Sequence, residues 1–350
     1  IGGNVYGGGN AGETGGKTAV TICEGTIEGS VFGGAKQASV TGSAYVHIDG
    51  AHMSGDIIIK SVYGGNDISG TVGTTPGYIP PLDDKKPTIV NDQFNAFVRI
   101  SPERTKTETT GEGAQAVTTT SLLHHIFMGS LFGGGNGDYK YFTDNTETTP
   151  LTDNDGNYIA RDKVTNEVVA TSTTRFAKPV QDKVYLEIMG GTIAYVYGGG
   201  NNATVNTDAV IYMNNTSEVT TKLPKPGQTI STTADINNPD KNKLADPDWL
   251  AGMGIASLGK NGVRDEYHFS RVFGGNNKAD MRVQPKWFLT AGHIENLYSG
   301  GNEGRMLSST GLLLEIDPIL PAVPSTITTE AEDAWKEAQT KLLKIYNVYG

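Results

Sequence analysis

Six histidines, one cysteine and a few acid pairs are the residues of this chain whose types could carry chemistry. The histidines are His47, His52, His124, His125, His268 and His293. None stands at a metal-ligand spacing such as His-Glu-x-x-His. Adjacent residues on a strand, as His124 and His125 would be, point to opposite faces. Structural or surface positions are therefore expected for them. Cys23 closes a strand-like run with no base beside it, and reads as a small apolar filler rather than a nucleophile. No Gly-x-Ser-x-Gly elbow occurs. The pairs Asp49/Asp56 and Asp246/Asp248 have the residue types of a glycosidase acid and base. For calcium, the nearest β-roll match is Gly134-Gly135-Asn136-Gly137-Asp138, where the aspartate comes one residue early. The run Asp153-Asn154-Asp155-Gly156-Asn157 resembles half a calcium loop but lacks the distal glutamate. The expectation is no catalytic residue and no cofactor, with a peripheral calcium ion as the only candidate metal.

Composition narrows the class. Glycine accounts for 46 of 350 residues, nearly twice the average usage of about 7%. Glycine that dense either loosens a chain or punctuates a repeat, and here it is clustered and periodic. A net charge of −10 argues against nucleic acid, which needs a basic face, and against an anionic membrane surface. A single cysteine rules out a disulfide within the chain. No apolar run approaches the roughly 20 residues that span a bilayer as a helix.

One phrase recurs along the chain. It begins as Val5-Tyr6-Gly7-Gly8-Gly9-Asn10 and returns at Val31-Phe32-Gly33, Val62-Tyr63-Gly64, Leu131-Phe132-Gly133-Gly134-Gly135-Asn136 and Val196-Tyr197-Gly198-Gly199-Gly200-Asn201. Val272-Phe273-Gly274-Gly275-Asn276 follows, then Leu297-Tyr298-Ser299-Gly300-Gly301-Asn302, and Val348-Tyr349-Gly350 starts another. An alternating strand, a glycine and an isoleucine precede several copies, as in Val184-Tyr185-Leu186-Glu187-Ile188-Met189-Gly190-Gly191-Thr192-Ile193. Such a phrase is not a nucleotide cradle, because no Lys-Ser/Thr or dinucleotide spacing follows it. The closest copies stand roughly 25 residues apart, which at about 3.3 Å per residue suits one rung of two or three short strands.

These features predict an all-β fold, a right-handed parallel β-solenoid over residues 1–350. Val184, Leu186 and Ile188 would point inward and their neighbours to solvent. The glycines would turn corners at positive φ, and the asparagine amides would stack rung on rung. Tyr6, Tyr63, Phe132, Tyr197 and Phe273 would form one column. Handedness follows from the preference for right-handed parallel crossovers. Insertions are expected at approximately 74–120, 138–174, 207–266 and 303–344, with a strand-like piece at Phe94–Ile100. Residues 329–344 predict a short amphipathic helix, acidic in its first turn and basic in its last, with Trp335, Ala338, Leu342 and Ile345 on one stripe. Because it opens and closes inside the phrase, the chain is expected to be a fragment of a longer repetitive protein.

At the Val-Tyr-Gly-Gly-Gly-Asn and Gly-Gly-Thr-Ile phrases the chain resembles the large repetitive β-helical cell-surface proteins of Bacteroidetes, which are adhesin-like. The resemblance covers most of the chain between insertions. It implies an extracellular, outer-membrane-associated location and a binding or structural role, and carries over no catalytic residues. The first expectation is thus a surface β-solenoid, not an enzyme, that binds host, glycan or neighbouring-cell ligands through its insertions. The alternatives are a carbohydrate-active β-helix enzyme and a purely structural fibre with lateral or end-to-end self-association. No nucleic-acid partner and no transmembrane segment are expected.

Overall fold

A computed structural model describes residues 1–73, 94–111, 116–216, 268–308 and 343–350, with Thr329 and Glu332 besides. The chain is nearly all β. Its main sheet has 14 strands, most of them on one continuous path that curls nearly into a barrel.

The first arm of that sheet is built from the recurring phrase. Val5–Tyr6, Gly25–Phe32, Ile57–Tyr63, Ile126–Phe132, Thr192–Tyr197 and Phe269–Phe273 pair in parallel in that order. The register places phrase on phrase. Val5 faces Val31, Val31 faces Val62, and Leu131 lies between Val62 and Val196. Val272, Leu297 and Val348 continue the line.

The second arm carries the alternating strands. Thr18–Ile22, Ala44–Ile48, Ala96–Ile100, Val180–Ile188 and Thr204–Asn214 pair in parallel, with Val20, Val46, Val98, Leu186 and Ile211 in register. The long strand Pro285–Tyr298 joins the arms, pairing with Thr204–Asn214 through its first half and with Phe269–Phe273 through its second. A third, short line of parallel contacts runs through Thr14, Val40 and Val72, then through Gln181 and Val205, with Met281 on Met306 apart from it.

The two arms enclose one apolar core. Val31, Val62, Leu131, Val196, Val272 and Leu297 from the first meet Val46, Val98, Leu186, Ile211 and Leu289 from the second. Period-two alternation accounts for this inward set, but not for the opposite face of the second arm. Tyr185 and Glu187, expected in solvent, are both buried. Tyr185 packs with Phe94, Phe97, Val210 and Tyr212 in a second cluster outside the core, and Glu187 lies 3.6 Å from Arg99.

The glycines of the phrase have a different cause from the one expected. None of the leading pair in any copy sits at positive φ. They are required by close approach. A Cβ on Gly33 would lie 2.6 Å from the Gly64 carbonyl oxygen, and one on Gly133 would lie 2.5 Å from that of Gly198. The backbone hydrogen bonds run on through these residues. Gly33 N donates to Tyr63 O at 2.9 Å, Gly64 N to Phe132 O at 3.0 Å and Gly133 N to Tyr197 O at 3.1 Å. Parallel pairing thus continues past the strand ends, and at Gly33 and Gly133 the neighbouring carbonyl leaves no room for a Cβ.

Several insertion boundaries shift. Ala96–Ile100 and residues 207–214 are strands of the main sheet, not outgrowths. Their buried apolar side chains complete the core, which is why they pair there. Within 74–120, Thr105–Thr110 forms an antiparallel hairpin with Val117–Leu122; residues 74–93 lie outside the described residues. Residues 138–174 carry a small antiparallel sheet of Tyr139–Lys140, Tyr158–Asp162 and Val168–Ser172. Of the helix expected at 329–344, Thr329 and Glu332 are helical, but Leu343 and Lys344 belong to the strand Leu343–Tyr349. Ile345, expected on the helix stripe, packs instead against the main core. Trp335, Ala338 and Leu342 lie outside the described residues.

Candidate functional site

The aromatic of each phrase points away from the core and stacks on the next. The column runs Tyr6, Phe32, Tyr63, Phe132, Tyr197, Phe273, Tyr298, Tyr349, with centroids 4.5–5.0 Å apart and planes within 10° of parallel. Parallel in-register pairing sets this spacing, because strands lie about 4.8 Å apart.

Beside the rings runs a polar ladder. Asn302 Nδ2 donates to Asn277 Oδ1 at 2.8 Å, Asn277 to Asn201 at 2.8 Å, and Asn201 to Asn136 at 2.9 Å. Asn136 Nδ2 then donates to Asp67 Oδ1 at 2.9 Å. A one-way chain of donors must end on an acceptor, and a carboxylate is acceptor-only. Asp67 is buried and also accepts from the hydroxyls of Tyr6 and Tyr139, each at 2.7 Å. Burial raises its pKa above the usual carboxylate range, although hydrogen bonds from Asn136, Tyr139 and Tyr6 work against the rise. Burial, with Asp67 beside them, also raises the phenols of Tyr6 and Tyr139, so both remain neutral donors.

Two asparagines of the phrase stand elsewhere. Asn276, expected in the stack, is one residue short of it. Its Oδ1 accepts from Gly200 N at 2.7 Å and its Nδ2 donates to Asp280 O. Asn66 does the same for Ala35 N at 2.8 Å. Both satisfy buried backbone groups at a tight corner, as buried polar groups must be satisfied. Asn10 meets Lys36 in the next copy, so its amide has no partner asparagine; its carbonyl accepts from Gln37 N.

The ladder borders a groove of about 480 Å³, lined among others by Tyr139, Phe142, Asn145, Lys140 and Asn202. The outgrowth at 138–176 builds one wall. Tyr141, Ala160, Ala170 and Phe176 close over Ile68, and Tyr141 Oη donates to Ile68 O at 2.5 Å. Asp138 holds Lys163 at 2.6 Å and Lys278 on its other oxygen. Burial opposes its charge, but the two lysines prevail and keep its pKa low. Tyr139 ties the same wall to Asp67.

Against this geometry, no protein-family model, curated protein or solved structure matches the chain.

The other chemistry-bearing residues are dispersed. His47 Nε2 lies 2.6 Å from Ser101 Oγ, but Asp49 stands 4.0 Å from that same nitrogen. A serine triad needs the carboxylate on the opposite ring nitrogen, and Asp49 instead engages His52 Nδ1 at 2.9 Å. Burial pushes the His47 pKa down, with Asp49 partly offsetting it. Asp56 accepts from His125 N at 2.9 Å, so it binds backbone at a corner. Cys23 is exposed, not a core filler, because the strand Thr18–Ile22 ends one residue before it. Asp153 spends its oxygens on Asp155 N, Asn157 N and Asn157 Nδ2. Among the described residues no cluster of three or more His, Cys, Asp or Glu could hold a metal. Asp246 and Asp248 lie outside the described residues. No helix among the described residues is long and apolar enough to cross a membrane.

The groove residues were not singled out by sequence reasoning. Asp67 had a signal. It follows its aromatic by four positions, as Asn136, Asn201, Asn277 and Asn302 follow theirs. Lys140, Asn145 and Asn202 had none, because only the folded outgrowth brings them together.

Asp67 yields a pH prediction. A raised carboxylate pKa means the folded state binds its proton more tightly than the unfolded chain does. Its stabilising contribution is present below the ordinary aspartate value of about 3.9 and is lost as pH rises through the raised folded value. Asp67→Asn removes the buried charge, keeps an acceptor for Asn136 and Tyr139, and can donate to the Tyr6 oxygen. Its unfolding midpoint should exceed that of the parent at pH 7, with the gap closing toward pH 4. A variant less stable than the parent at pH 7, or a gap independent of pH, would contradict the assignment.

Proposed function

We propose that the chain is a right-handed parallel β-solenoid stretch of a repetitive extracellular protein, adhesin-like, which holds binding outgrowths on a stiff rod and is not an enzyme. The observation that carries this reading is the register of phrase on phrase across the first arm. Repetition in one direction makes a long surface from short contacts, each copy contacting only its neighbours. Outgrowths such as residues 138–176 then stand at intervals along it. The negative net charge supports protein or glycan partners over nucleic acid.

Two measurements test the proposal. A crystal structure of the purified chain should show each phrase strand reached from the one before by a right-handed crossover; left-handed or antiparallel connections between them would end the solenoid reading. Antibodies against the chain should label intact producing cells, and surface proteolysis should remove the label. Labelling that needs permeabilised cells would end the surface reading.

A further inference from the structure

We propose that the groove beside the asparagine ladder is a carbohydrate-binding site, taking a sugar ring against Tyr139 and Phe142 and hydrogen-bonding it through Lys140, Asn145 and Asn202. The inference rests on the binding role proposed above and gives that role a place and a ligand class.

Most polar groups of the groove are already committed. Asp144 accepts from Thr146 Oγ1, Thr148 N and Thr149 N, which closes its own loop. Glu147 holds Lys178 at 2.7 Å, and Lys163 holds Asp138. Tyr141 and Tyr139 are tied to Ile68 and Asp67. The walls are therefore fixed by bonds of their own, and a fixed site loses little entropy on binding.

Among the described residues, Lys140, Asn145 and Asn202 form no side-chain hydrogen bond or ion pair, yet all three line the groove. Together they offer an ammonium and two amides, hence several donors and two good acceptors within one small space. A compact ligand with donors and acceptors on every edge matches that set, and a polyhydroxylated ring is such a ligand. The half-buried rings of Tyr139 and Phe142 provide apolar surface for its C–H face. Arg175 covers Phe142 at 5.1 Å from the ring centroid, so Phe142 offers one face.

Competing ligands fit less well. A phosphate would want several cations, whereas Lys140 is the uncommitted one and Asp144 stands in the same lining. A purely apolar molecule would leave the two amides without partners, which is costly. The volume lies within the range of small-ligand pockets, about 300–1,000 Å³. Asn202 comes from the corner between Thr192–Tyr197 and Thr204–Asn214 and the other two from the outgrowth, so the site exists once the outgrowth has docked.

The test uses immobilised short oligomers of glucose, mannose, xylose and N-acetylglucosamine, with oligogalacturonate as the acidic arm. The intact chain should bind at least one of them at millimolar concentration or below. Lys140→Ala/Asn145→Ala/Asn202→Ala should weaken that binding about tenfold or more while leaving the unfolding midpoint in place. Retention of neutral binding by Lys140→Ala alone would assign recognition to the rings and amides; loss confined to oligogalacturonate would assign the lysine to a sugar carboxylate. Binding to no member of the panel overturns the proposal. So does binding that survives the triple substitution, which would place the site elsewhere and leave the surface role intact. Failure of surface labelling on cells would end the surface reading and leave sugar binding by the purified chain untouched.

Discussion

Gly133→Ala is expected to destabilise the chain by about 3 kcal/mol, at the upper end of the usual cost of overpacking. Gly133 is not among the positive-φ glycines, so alanine meets no conformational barrier there. The cost is steric. The new Cβ would stand 2.5 Å from Gly198 O and 3.2 Å from a Val184 methyl. The first obstacle is backbone, held by the hydrogen bond from Gly133 N to Tyr197 O and by the continuing pairing of Gly198 with Phe273. Neither copy can retreat without opening the sheet. Ser299 is the one residue with a Cβ at this position of the phrase, and its hydroxyl donates to Tyr349 O at 3.3 Å; the preceding copies all carry glycine. Gly15→Ala is the control, because a Cβ there meets nothing within 4 Å. It should be neutral or slightly stabilising, through the lost entropy of the unfolded chain. Urea unfolding of both variants checks the pair, and equal midpoints would refute the close-approach account.

The second large effect concerns the ring column. Phe132→Ala should cost about 3–5 kcal/mol, as burial of a whole ring implies. Phe132 lies between Tyr63 at 4.5 Å and Tyr197 at 4.7 Å, so truncation opens a gap between two rings that cannot close while the sheet keeps its spacing. Phe132→Leu separates the contributions. It retains much of the buried area and loses two stacked pairs, each worth about 0.5–1.5 kcal/mol. Its cost should therefore fall between parent and alanine. Tyr349→Ala should cost far less, because Tyr349 is 46% exposed and, among the described residues, stacks on Tyr298 alone. Equilibrium denaturation followed by near-ultraviolet circular dichroism reads all three. A Phe132→Ala cost below about 1 kcal/mol would show that the column is a by-product of register rather than a source of stability.

The strand pairing of the first arm was legible because its signal is local and repeated. An aliphatic, an aromatic and two glycines recur with little change, and parallel pairing aligns like with like. The asparagine ladder was half legible. Counting from the glycines picks Asn276, which caps Gly200 N. Counting four positions from the aromatic picks Asn277, which is in the ladder. The strand, not the glycine run, sets the register, so the second count is the physical one. Insertion boundaries were less legible, because Ala96–Ile100 lies far in sequence from both strands it pairs with, and the second partner of Thr204–Asn214 begins only at Pro285.

What composition and spacing decided alone was a nearly all-β chain with in-register parallel copies, since backbone pairing needs only short-range repetition. What required the folded molecule was the purpose of each special residue. The leading glycines of the phrase serve close approach and not positive φ, as neighbouring carbonyls reveal. Asp67 ends a donor chain whose members come from distant copies. The groove draws Asn202 from the corner between Thr192–Tyr197 and Thr204–Asn214, and Lys140 and Asn145 from an outgrowth docked on Ile68. The groove depends on contacts between residues tens of positions apart, and no local pattern encodes it.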